Sequence, residues 1–256
     1  MAADDYQDYF WASVYDQYNR GRHEKELAFY SAELRRCRGP VLEVACGTGM
    51  ILLKLLEQGI DIYGFDIAEE MLRVLFEHAE TANIEDIHDR VSRQDMRDFH
   101  YDRTFEAIII PARSFLHLTN QEDQIACLRA VRSHLGPKGR LLLNFFNPNV
   151  SLLAAGAESP FGFRPLCTFV HPATDEPVEL SFRQRNDLPN QVQHIVWRFE
   201  HEGSTHETTM TVRWIFKEEF QLLLRLAGFE EWTLYGDFDK SEFGETSKEL
   251  IWIVER

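Results

Sequence analysis

The sequence predicts an α/β protein: an open, doubly wound, mostly parallel sheet with an antiparallel β-meander inserted before its last helix. Three observations predict it. From residue 41 onward, short β-branched runs alternate with helical patterns in the manner of βαβ units. The first run, Val41-Leu42-Glu43-Val44-Ala45-Cys46-Gly47-Thr48-Gly49-Met50, passes from strand to glycines to helix. Glycines there let the backbone turn without a Cβ and let a ligand approach the main chain, while the next helix offers unpaired N–H groups. Between residues 149 and about 215 the rhythm changes to period-two alternation.

Composition narrows the classes of function. A chain of 256 residues with 44% apolar content can build a substantial core in one large domain or two small ones. No apolar run approaches the roughly 20 residues of a membrane helix, and a cytoplasmic protein without membrane partners is expected. A formal charge of -15 repels a phosphate backbone, and Arg35-Arg36-Cys37-Arg38 is a short basic exception, so nucleic acid is not the expected partner. Cys37, Cys46, Cys127 and Cys167 lack metal-ligand spacing and read as unpaired thiols, with no metal site.

Residues 1 to 20 mix acids with Tyr6, Tyr9, Phe10, Trp11, Tyr15 and Tyr18, too aromatic for a disordered tail, and read as a segment that folds over something. Arg22 to Arg36 places Leu27, Tyr30, Ser31 and Leu34 at helical spacing, predicting a helix on the sheet edge. Then come strand 41 to 45, helix 50 to 58, strand 61 to 65 and helix 68 to 79. Asp66 closes the second strand, where a carboxylate accepts hydrogen bonds from ribose hydroxyls or caps the next helix. A third strand is expected near 89 to 93, before Gln94-Asp95-Met96. Phe105 to Ile110 is a near-continuous apolar run suited to a sheet centre. It ends at Pro111-Ala112-Arg113-Ser114-Phe115-Leu116-His117-Leu118, at the end of the sheet where ligands bind. Helix 121 to 135, the turn Gly136-Pro137-Lys138-Gly139 and strand 140 to 146 follow. Asn147-Pro148 reads as a turn. Val178 to Arg185, Gln191 to Glu200 and Thr208 to Phe216 form the meander, and helix 217 to 227, strand 231 to 235 and strand 249 to 254 complete the sheet.

The run E-V-A-C-G-T-G resembles motif I of the class I S-adenosylmethionine-dependent methyltransferases, an acidic residue on the first strand before a G-x-G turn. A dinucleotide fingerprint requires a third glycine where this chain has Leu52, which weakens an NAD(P)-dependent oxidoreductase reading. The L-G-P-K-G turn and the closing helix, A-G-F turn and strand pair are similar to the same family, a resemblance covering about 40 to 148 and 217 to 256. It implies a Rossmann-like sheet of seven strands with the last antiparallel. It also implies three parts: an aromatic lid (1–39), a cofactor-binding core (40–148 and 217–256) and a cover over the acceptor site (149–216), for which a dimer surface is the alternative.

The implied cofactor is S-adenosylmethionine. Glu43, Ala45, Cys46, Gly47 and Gly49 would surround its methionine part, and Asp66, Ile67, Met71, Asp95 and Met96 its adenosine. Glu43, inside a strand, needs a donor: the cofactor ammonium or an arginine. Arg113 would bind a carboxylate of cofactor or acceptor, or pair with an acid. Tyr15 and His117 resemble in setting the Tyr and His that face the methyl group and the acceptor amine in amino-sugar N-methyltransferases, which share the A-C-G-T-G-M turn. A neutral histidine there can accept a proton. Trp11, Tyr18, Trp197 and Trp214 suggest an aromatic pocket. The expected activity is methyl transfer to nitrogen or oxygen of a small molecule, with a non-catalytic nucleoside-binding relative as the other alternative. A homodimer is compatible with the sequence.

Overall fold

A computed structural model describes residues 8–21, 23–157 and 162–256. Tyr6 and Arg22, singled out above, lie outside them. Two helices, α1 (Tyr9–Asn19) and α2 (Glu24–Leu34), precede the βα alternation. Its first half is β1 (Val41–Val44), α3 (Leu52–Glu57), β2 (Ile62–Asp66), α4 (Glu69–Thr81), a single-turn α5 (Ile87–Arg90) and β3 (Val91–Arg93). Its second half is β4 (Phe105–Ile110), α6 (Gln121–His134) and β5 (Leu135–Phe146). Then α7 (Val150–Ala157) leads into β6 (Arg164–Val170), β7 (Pro177–Asp187), β8 (Val192–His201) and β9 (Ser204–Arg213). The chain closes with α8 (Lys217–Ala227), β10 (Glu231–Tyr235) and β11 (Glu249–Glu255).

Seven strands lie in the order β10-β11-β5-β4-β1-β2-β3, and β11 runs antiparallel to both neighbours. The parallel register sets Val41 beside Ile62 on one side and Ala107 on the other. Alternate residues therefore enter opposite layers. Leu42, Ile108 and Leu141 pack with Leu128 of α6 and Phe220 of α8, while Val41, Ile109 and Leu142 pack with α2, α3 and α4. Each such fully buried aliphatic side chain stabilises the fold by about 1.5–3 kcal/mol, which makes the unbroken apolar runs of β1 and β4 the anchor of the sheet. The strand order reverses between β1 and β4, leaving a crevice beyond their carboxyl ends.

Several sequence expectations need correction. α2 does not pack on the sheet edge: Phe29, Tyr30 and Leu34 lie against Val41, Ile109, Leu142 and Ile251, across its middle. The Tyr30 hydroxyl donates to Asn144 Oδ1 at 2.8 Å, pinning the helix to β5. The Gly136-to-Gly139 turn is absorbed into β5 as an irregularity, with Leu135 beside Phe105 and pairing resuming at Ala107 and Arg140. The last meander strand runs from Ser204 to Arg213 rather than 208 to 216, and β6 and α7 were not anticipated.

The second sheet, β6-β7-β8-β9, is an antiparallel meander. Glu202 and Gly203, both at positive φ, make the two-residue turn between β8 and β9. One face of this sheet, with Val178, Leu180 and Phe199, closes on Trp11 and Val14 of α1 and on Ala68, Met71 and Val74 at the start of α4. Arg213 fastens its far end to the core, donating to Gln124 on α6 (3.2 Å) and Glu219 on α8 (2.6 Å). The meander is thus bound to the parallel sheet at both ends.

Candidate active site

The crevice beyond β1 and β4 is a cavity of about 470 Å³. Its floor is the turn after β1. Ala45, Gly47 and Gly49 all take positive φ, a bend that costs a residue with a Cβ and that Ala45 adopts nonetheless. Asp66 holds the turn: Oδ2 accepts the Gly47 N–H and Oδ1 the Ala68 N–H, each at 2.8 Å. The carboxylate therefore ties the glycine turn to Ala68, the N-cap residue of α4, and still faces the cavity. Burial pushes Asp66 above the usual carboxylate range, and these backbone donors oppose the rise.

Glu43 lines the cavity from β1, 2% exposed. Its Oε2 has no hydrogen-bond partner, and no arginine pairs with it among the described residues. Burial, then the charges of Glu26 and Asp66, push its carboxyl well up. A buried acid in this state asks for a donor from a ligand. Ala45, Cys46, Gly47, Ile67, Met71, Asp95 and Met96 line the same cavity. Asp95 also binds Arg97, with Nη2 2.5 Å from Oδ2; this contact, ahead of burial in effect, holds its carboxyl below the ordinary range.

Two of the expected positions stand away from the cavity. Gly49 sits one layer back, where a Cβ would lie 2.9 Å from Leu75 Cγ and 3.0 Å from Leu53 Cγ, so close packing of helices requires it. Arg113 pairs its guanidinium with Glu249 and lies over the Phe146 ring; of the three roles expected for it, the structure shows pairing with an acid. The aromatic pocket also needs correction. Trp11, Tyr18 and Trp197 do cluster, with Trp11 and Trp197 stacked at 6.2 Å, but they form the seam between α1 and the meander. Trp214 is buried separately, at the junction of β9 and α8.

Tyr15 and His117 do meet at the cavity. Burial, then the charges of Asp16, Glu26 and Asp66, push the Tyr15 phenol up, so it stays a neutral hydroxyl. Burial pushes His117 down to about 4, against the pull of a hydrogen bond with the Thr211 backbone, so its ring is neutral near pH 7. Sequence reasoning missed His194 and Thr211 of the meander, His23 before α2, and Thr48. Thr48 donates to Asp16 Oδ1 at 2.5 Å, joining α1 to the glycine turn. The one signal available for His23 was its three-residue spacing from Glu26 at a helix start; nothing in one sequence reveals which meander residues reach the cavity.

A doubly wound sheet with a crevice at its switch point, and a glycine turn there held by the acid at the end of β2, defines an α/β protein built for a nucleoside-bearing ligand. Comparison with known proteins refines this class. Residues 41–139 match a family described as a methyltransferase domain. The glycine/sarcosine N-methyltransferase of Halorhodospira halochloris is 30% identical over 240 residues, covering 89% of this chain and 79% of that protein. A dTDP-3-amino-3,6-dideoxy-alpha-D-glucopyranose N,N-dimethyltransferase of Streptomyces fradiae is 26% identical over 227 residues, 85% of this chain and 82% of the relative. Among solved structures, the CcbJ methyltransferase from Streptomyces caelestis superimposes with a TM-score of 0.78 at 22% identity, covering 98% of this chain and 97% of that one, a likeness of fold. The chain belongs to the class I S-adenosylmethionine-dependent methyltransferases and is an enzyme of that class. No helix among the described residues is long and apolar enough to cross a membrane.

Proposed function

We propose that this methyltransferase acts on a small molecule at nitrogen, with oxygen as the second reading. The observation that carries the cofactor half is Glu43. A buried carboxylate with an unpartnered oxygen, beside the turn Ala45-Cys46-Gly47, fits the ammonium of the methionine part of S-adenosylmethionine. Asp66 keeps lone pairs for ribose hydroxyls, Ile67 and Met71 supply apolar contact, and Asp95 and Met96 fit the adenine edge and face. When bound, S-adenosylmethionine supplies an electrophilic methyl carbon on a sulfonium, a leaving group that needs no acid.

What remains for the protein is alignment and exclusion of water. Residues 1–39 act as a lid through α1, residues 40–148 and 217–256 as the cofactor core, and 149–216 as the cover of the acceptor end. The Tyr15 hydroxyl and the neutral His117 ring orient the acceptor there, between the lid and the turn after β4. The nitrogen reading is favoured because the named relatives are N-methyltransferases. Calorimetric titration with S-adenosylhomocysteine, with NAD in parallel, tests the cofactor assignment. Micromolar binding of the first alone is expected, and binding of NAD alone would overturn it. Mass analysis of products from amine and hydroxyl acceptor panels then decides nitrogen against oxygen.

A further inference from the structure

Just before α2 the cavity wall holds a pair that the reading above leaves unused. His23 lines the cavity, and its Nδ1 lies 2.5 Å from Glu26 Oε2. Glu26 is 4% exposed, and its other oxygen accepts the Ala112 N–H at 2.6 Å. Ala112 and Arg113 both adopt positive φ, two consecutive left-handed residues directly after the turn out of β4. Backbone strain of this kind needs support from its surroundings, and Glu26 supplies it by accepting the Ala112 amide. A buried carboxylate fixed from one side by a backbone donor is a rigid partner for the ring on its other side.

That contact determines the chemistry of the histidine. To donate to a carboxylate, Nδ1 must carry the hydrogen, which leaves the lone pair on Nε2. No hydrogen bond from Nε2 to another side chain is recorded among the described residues. Glu26 pairs with it and Asp16 of α1 interacts with it electrostatically, and it shares the cavity lining with Tyr15 of α1, Glu43 of β1, Asp66 of β2, His117 after β4 and His194 of β8. None is a lysine or arginine. Among the described residues of the cavity lining the one arginine, Arg97, is already paired with Asp95 and Asp123. This end of the cavity therefore favours a cation. Burial around His117 disfavours its charged form, so it is the poorer place to leave a proton.

We infer that the acceptor enters as a protonated amine and that His23, oriented by Glu26, takes its proton. The inference rests on the methyltransferase reading with nitrogen as the accepting atom. An N–H bond of the ammonium breaks, its electron pair stays on nitrogen as a lone pair, and the proton moves to Nε2. The ring becomes an imidazolium whose Nδ1–H remains on Glu26. No other reactant is needed for this step.

The test uses sinefungin, an analogue with a primary ammonium where S-adenosylmethionine has its methylated sulfur, against S-adenosylhomocysteine, which has neither. In calorimetry on the full chain at about pH 8, sinefungin is expected to bind at least about tenfold tighter. In His23→Gln the preference should shrink to within about twofold, with S-adenosylhomocysteine affinity retained. Long-range proton–nitrogen NMR should find His23 as the Nδ1–H tautomer, and mixed tautomers in Glu26→Gln if that variant folds. Equal preference in wild type and His23→Gln, or an Nε2–H tautomer in the wild type, would overturn the inference. Failure to bind S-adenosylhomocysteine at all would instead defeat the cofactor reading beneath it.

Discussion

Strands β1, β4 and β5 are buried on both faces, whereas β6 to β9 bury one face against α1 and α4 and leave the other in water. The first arrangement fixes register through continuous apolar runs; the second relies on an aromatic seam and on polar ties such as Arg213. The contrast follows the division of labour. A sheet that presents one constant cofactor wants a rigid turn at a switch point, and a second sheet tied on by a seam can vary as long as that seam closes. The matched family segment, 41–139, lies wholly within the parallel half.

Four experiments would break or sharpen this contrast. The largest effect is expected from Trp11→Ala in the seam. Trp11 is 3% exposed, and truncation should loosen α1 and the meander by about 3 kcal/mol. Hydrogen exchange should show the loss in α1 and β6 to β8 while amides of β1 and β4 keep their protection; equal loss in both would mean the halves are not separable. Next is Asp66→Ala, which frees the Gly47 and Ala68 amides. Affinity for S-adenosylhomocysteine should drop about 100-fold, roughly 2.7 kcal/mol, with the seam intact. Wild-type binding would move the cofactor out of the parallel half.

Glu43→Gln should act in opposite directions on stability and binding. Because burial raises the folded carboxyl above its unfolded value, the folded apo-protein binds the extra proton, and its stability declines as pH climbs from the ordinary carboxylate range through that raised value. The glutamine variant should flatten this decline in thermal melts across pH, and weaken S-adenosylhomocysteine about tenfold, ~1.4 kcal/mol. A variant with the same pH slope as wild type would show that Glu43 is already satisfied without ligand. The smallest effect belongs to Thr48→Val, which removes the Asp16 contact at a cost of about 1 kcal/mol. Protease nicking within α1 should rise slightly, and no change would mean that the aromatic seam alone holds α1.

The same contrast explains what was legible in the sequence. Phe105–Ile110 and Lys217–Ala227 have the bounds the sequence predicts, because a fully apolar strand and a strongly one-sided helix with Gly228 behind it leave no competing arrangement. Asp66 was legible from its place at a strand end. β6 was not: it is an edge strand with Pro165 and a register shift between Pro165 and Cys167, so its alternation is broken where a reader would look for it. Arg113 was misplaced because a cation after β4 points to the cavity by sequence position, while its partner Glu249 lies on β11, far along the chain. His23 and Glu26 were passed over for a related reason. Their chemistry depends on the Ala112 amide, a contact no local pattern announces.

The stacked indoles of Trp11 and Trp197, one on α1 and one on β8, have an optical consequence. Two indoles at this separation couple their electronic transitions, and a skew between their transition moments gives a paired circular-dichroism band that neither produces alone. Lifting α1 pulls one chromophore away and should extinguish the band while the helical signal persists. Any separation of α1 from the meander can thus be timed by stopped-flow optics on the unlabelled chain.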